Sequence, residues 1–95
     1  MASYRSRKEA WADLESSVYW YEARAQWIAT AFLQEFEQHV ERIQQFPEGF
    51  RQIGRGLRQC VLKRFPYVVV YLMHQGRCTV VAVFHTSRNP EDKLK

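Results

Sequence analysis

The chain is poor in the residues that staple or interrupt small folds, with two cysteines, four glycines and three prolines among 95 residues. Two cysteines cannot build a disulfide-dense scaffold. His39, His74 and His85 stand at no ligand spacing from a cysteine or a paired carboxylate, so no metal site is expected. "GRG" at 54–56 is too short for a phosphate-cradling loop, and no cofactor is implied. No apolar run approaches the roughly 18 residues of a membrane span, so no membrane partner is expected. The opening MASYRSRKEA is polar, unlike a signal peptide, which makes a cytoplasmic protein the expectation. The longest absence is of one charge sign: from Gly49 to Pro90 there is no acidic residue at all.

That gap divides the chain electrostatically. Up to Glu48 there are five Lys or Arg against eight Asp or Glu, a net of −3; beyond it there are nine against two, a net of +7. One surface arginine means little, but Arg51, Arg55, Arg58, Lys63, Arg64, Arg77 and Arg88 with no local acid favour an anionic partner.

The length suits one domain over 1–95 with a single two-layer core. Residues 2–6 form a possible edge strand. From Lys8, Trp11, Leu14, Val18 and Tyr21 recur at spacings of three and four, as do Ile28, Phe32, Phe36, Val40 and Ile43 up to Phe46. Both are stripes of amphipathic helices, so 8–46 reads as a helical hairpin closed by Pro47 and Gly49. Trp20, Trp27 and Phe32 are assigned to the core, the usual place of aromatics at helical spacing. Residues 46–56 read as a flexible basic loop. Three antiparallel strands follow within 57–85, turning at Phe65-Pro66 and at Gln75-Gly76. The tail, 86–95, has no apolar period. The fold class is therefore α+β, with the helical hairpin on one face of a small antiparallel sheet.

Those turns place Cys60 beside Tyr71, and Tyr71 beside Val80. The face carrying Cys60, Leu62, Val69, Tyr71, Met73, Cys78, Val80, Ala82 and Phe84 is the floor for the helices. The other carries Val61, Val68, Val70, Leu72, Val81 and Val83, with His74 and His85 at its rim, and two helices cannot cover both sides. An apolar centre left open marks a partner site. Cys60 and Cys78 have a strand between them, roughly 10 Å, beyond disulfide reach, and read as buried thiols. His85 and Arg88 end the last strand, where an imidazole is an acid or base and a guanidinium holds a phosphate, although composition alone favours an ordinary surface pair.

The segments EAWADLESSVYWYE, ATAFLQEFEQHVERIQQFP, LRQCVLKRFPYVVVYL and VAVFHTSRNP together resemble the RelE/ParE family of bacterial type II toxins over about residues 4–90. The resemblance implies a cognate antitoxin that wraps the toxin, here an acidic one expected on Val61, Val68, Val70, Leu72, Val81 and Val83. It also implies a target inside the cell, met through Arg58, Lys63, His85 and Arg88. RelE-like members cut mRNA on the ribosome with basic groups on the open face. The matching positions here are Gln59, Val61, Val68 and Leu94, which cannot do that work, and only Arg88 matches. The FPY turn and the H..R.P ending look more like ParE, whose members poison DNA gyrase. The expectation is a non-enzymatic gyrase inhibitor. The alternatives are a ribosome-dependent endoribonuclease using His85, Arg88 and Arg58, or a decayed toxin that only binds antitoxin.

Overall fold

The computed structural model describes residues 4–6 and 8–86. The chain runs β1 (Tyr4–Ser6), α1 (Lys8–Glu22), α2 (Gln26–Gln45), β2 (Arg51–Gly54), β3 (Leu57–Val61), β4 (Tyr67–His74) and β5 (Arg77–His85). The helices are linked by three residues, which forces them to lie antiparallel. α1 turns Ala10, Leu14, Ser17 and Tyr21 inward, while α2 buries Ala29, Phe32, Phe36, Val40 and Ile43. Pro47 follows the α2 C-cap, Phe46, and cannot continue the helical hydrogen-bond ladder.

The five strands are ordered β1-β5-β4-β3-β2, with β1 parallel to β5 and the remaining pairs antiparallel. The sheet is larger than the three strands expected. β2 lies in the segment read as a loop, where Gly54, Arg55 and Gly56 all take positive φ (100°, 57° and 75°). Such left-handed backbone closes a hairpin, so these glycines make a turn rather than a flexible stretch. Gln75 and Gly76, also at positive φ, form the expected two-residue turn between β4 and β5.

Two register differences matter for the faces. Tyr71 pairs with Arg58, and Cys60 with Val69, because the β3–β4 connection spans 62–66 instead of turning at two residues. This shift of two leaves every β3 side chain on its expected face. The second difference is a bulge in β5: Val70 pairs with Ala82 but Tyr71 with Val80, so Val81 is the extra residue. Beyond it the alternation inverts. Val83 joins the helix-side core, whereas Ala82 and Phe84 move to the opposite face with Val68, Val70 and Val81.

That opposite face is not open. Val68, Val70, Val81, Ala82 and Phe84 are buried within the chain itself, Val70 completely, and Ile53, Leu57 and Leu72 pack partly buried against them. Phe84 brings a large ring to this side through the bulge, and β2 contributes Ile53 from the segment assigned to a loop. Of the six residues expected to lie exposed, Val61 alone is, at 51%.

Candidate functional site

Two polar latches fix the β3–β4 connection and the turn after α2. Glu35, buried on α2, accepts hydrogen bonds from the Lys63 and Arg64 backbone N–H groups at 2.5 and 2.9 Å, and its other oxygen accepts from Arg64 Nε at 3.3 Å. Burial alone raises a carboxyl pKa, but these donors and the nearby His39 outweigh it and hold Glu35 below its ordinary value. His39 Nδ1 lies 2.8 Å from the Glu35 carbonyl oxygen; a carbonyl can only accept, so Nδ1 carries the proton. At the other latch Arg58 Nη1 donates to the Phe50 carbonyl at 2.6 Å and to that of Glu48 at 3.2 Å, and the Tyr71 hydroxyl donates to the Pro47 carbonyl at 2.7 Å.

These latches decide what the expected site residues do. Arg58 is committed to loop carbonyls on the helix side of the sheet. Lys63 is exposed, with its backbone fixed by Glu35. His85, expected at the rim of the other face, is carried by the bulge to the helix side, where its ring meets Tyr67 edge-on at 5.4 Å. There it lines a groove of about 720 Å³ with Asp13, Ser17, Trp20, Pro66 and Tyr67. Arg58 pairs with Tyr71 and His85 with Tyr67. Four residues along β4 separate those levels by about 13 Å, with β4 itself between the two side chains. One phosphate cannot touch both. Arg88 and Leu94 lie outside the described residues, as do residues 2–3 of the expected edge strand and 87–95 of the tail.

The face where RelE-like toxins carry cations is apolar here. Val61 pairs with Val68, and Gln59 with Val70. Neither valine offers a proton or a charge. Burial pushes the Cys60 and Cys78 thiols up to about 11, so they remain protonated at neutral pH and are not nucleophiles. It likewise pushes the Tyr71 hydroxyl up to about 12. Among the described residues no three His, Cys, Asp or Glu side chains gather as a metal site, and no helix is long and apolar enough to cross a membrane.

Two features escape a reading of the sequence. Glu35 is not singled out by its spacing or its neighbours, and its burial becomes visible only once the 62–66 connection is placed against α2. The assignment of three aromatics to the core holds for Phe32 alone. Trp27 is 73% exposed, and Trp20 is half exposed with the Arg24 guanidinium stacked 3.3 Å from its ring centroid. Both stand off the stripe of buried positions, which is the available signal.

Comparison with known proteins bears on this geometry. The family profile of the ParE toxin of type II toxin-antitoxin systems, parDE, matches residues 4–90. The chain belongs to the ParE toxin family. No curated protein matches it. Among solved structures, a chain of the chromosomal ParDE toxin-antitoxin system from P. aeruginosa is similar at 20% identity with a TM-score of 0.74, covering 90% of this chain and 96% of that one. At that identity the likeness shows the fold, two helices on an antiparallel sheet. Membership of ParE makes this the toxin of a two-component system, with an antitoxin as its partner.

Proposed function

We propose that this ParE-family toxin inhibits DNA gyrase by binding it, without making or breaking a bond itself, and that a cognate acidic antitoxin neutralises it in the cytoplasm. The observation that carries this reading is that Arg58 and His85, the described groups a nuclease would use, do not converge. RNA cleavage needs a base for the ribose hydroxyl, cations at the phosphate and an acid for the leaving oxygen, all within hydrogen-bond reach of one group. Here Arg58 is spent on the Phe50 and Glu48 carbonyls, His85 is on another level of the sheet, and the paired Val61 and Val68 offer neither charge nor proton.

Purified toxin added to gyrase supercoiling and to ribosome-programmed mRNA tests this. Lost supercoiling with intact mRNA is the expected result. Ribosome-dependent cleavage, abolished in Arg88→Ala, overturns it, and inactivity in both assays marks a toxin that only binds antitoxin. For the antitoxin, the closed second face moves the expected contact from the central valines to the rim. Val61 and the accessible parts of Leu72 and Ile53 remain within reach of a partner. The basic strand half attracts its acids, and association should slow as salt rises.

A further inference from the structure

Next to the Glu35 latch is a cleft of about 170 Å³, lined by Glu35, Gln38, His39 and Arg42 from α2 and by Lys63 and Arg64 from the β3–β4 connection. Two elements distant in sequence thus direct three cationic side chains at one small space. The acid in the cleft offsets one of them and not the other two: Glu35 is buried, holds two backbone N–H groups and pairs with Arg64 Nε. Arg42 and Lys63 are exposed and make no ion pair among the described residues. Glu37 and Glu41, the nearest further acids of α2, sit two residues after Glu35 and one before Arg42, turned well away from the cleft side at 100° per residue.

We propose that this cleft takes a backbone phosphate of duplex DNA, so that the toxin contacts DNA directly, in the absence of gyrase. Its volume is ample for one tetrahedral anion. None of its lining residues is apolar, so it has no pocket in which to bury a peptide's anchoring side chain, the feature that protein partners use for affinity. A phosphodiester needs only charge and hydrogen bonds, which the arginine fork and the lysine supply. The acid-free run from Gly49 to Pro90 extends the same positive potential beyond the cleft. Binding of this kind is indifferent to sequence and falls as salt rises.

The experiment is fluorescence anisotropy of the purified full chain with a labelled duplex of about 20 base pairs over a salt series, without gyrase. Wild type should bind, with log affinity falling linearly in log salt. The double variant Arg42→Gln, Lys63→Gln should lower that slope by about one, because the single phosphate that the cleft holds then keeps its counterion. Arg77→Gln at the exposed β4–β5 turn, which removes a charge elsewhere, should change it less. Arg42→Lys should keep the wild-type slope, since a point charge serves counterion release. Circular dichroism verifies that each variant is folded. No binding by wild type, or an equal fall in slope for the cleft variant and for Arg77→Gln, overturns the proposal. So does a cleft variant that no longer binds poly-glutamate while keeping DNA, because the occupant is then an acidic peptide. Gyrase inhibition is scored separately, and either result there leaves this one readable.

Discussion

The two faces of the sheet are both apolar at their centres, yet they are held in different ways. On the helix side, directional bonds at the rim reinforce the packing: Glu35 grips the 62–66 connection, while Tyr71 and Arg58 grip the turn after α2. On the other side, among the described residues, Val68, Val70, Val81, Ala82 and Phe84 form an apolar cluster with Ile53, Leu57 and Leu72 packed against it. The first face is specified by geometry and the second by volume and exclusion of charge. Substitutions that respect volume should therefore be felt on one side and tolerated on the other.

The largest effect is expected where charge enters the volume-specified face. Val70→Asp places a carboxylate at a fully buried position with no partner, and should destabilise by about 4 kcal/mol or more in denaturant unfolding. A folded Val70→Asp toxin of near-normal stability would show that this face opens readily. Next comes Glu35→Gln, nearly the same size, whose carbonyl oxygen can keep the two backbone donors but whose amide N–H₂ then faces the Arg64 Nε–H donor without a charge to offer it, and it should cost about 2 kcal/mol. This loss depends on pH. Because the folded Glu35 pKa lies below its unfolded value, its contribution is complete above the unfolded carboxylate range near 4.3 and disappears as pH falls through the lower, folded value. The stability gap between wild type and Glu35→Gln should narrow across that interval, and a constant gap would remove the carboxylate's charge from the account.

Tyr71→Phe deletes only the hydroxyl that donates to the Pro47 carbonyl, and a loss of about 1 kcal/mol is expected from thermal unfolding. The smallest effect belongs to the rim. Val61→Asp, at a half-exposed site, should change stability by less than about 0.5 kcal/mol while weakening antitoxin association in a titration. Unchanged affinity there would move the partner away from this edge.

Much of this contrast is legible in the sequence, and the failures have local causes. The α2 stripe and the Gln75-Gly76 turn follow from spacing and from the φ that glycine permits, and both survive in the structure. The other face reads as open when simple alternation is carried through Val81. One extra residue there exchanges Val83 for Ala82 and Phe84 and turns His85 toward Tyr67. No residue type announces such a bulge. β2 is missed because glycines that complete a hairpin look, in isolation, like those that loosen a loop. At the candidate site, seven basic residues without an acid signal an anionic partner, but not that Arg58 is occupied by carbonyls 8 and 10 residues before it. Side-chain-to-backbone bonds of this kind have no periodicity to betray them.

The position of β1 has a consequence for how the molecule assembles. β3, β4 and β5 follow one another and can pair as neighbouring hairpins form, within microseconds of collapse. Tyr4, however, lies beside Cys78, so the first strand finds its place only against the last one. That single pairing closes nearly the whole chain into a loop and is entropically the hardest to make. The edge of β5 is therefore capped by a strand of only three residues, brought there from the far end of the chain, and its pairing is the part of the sheet most dependent on the rest being in place.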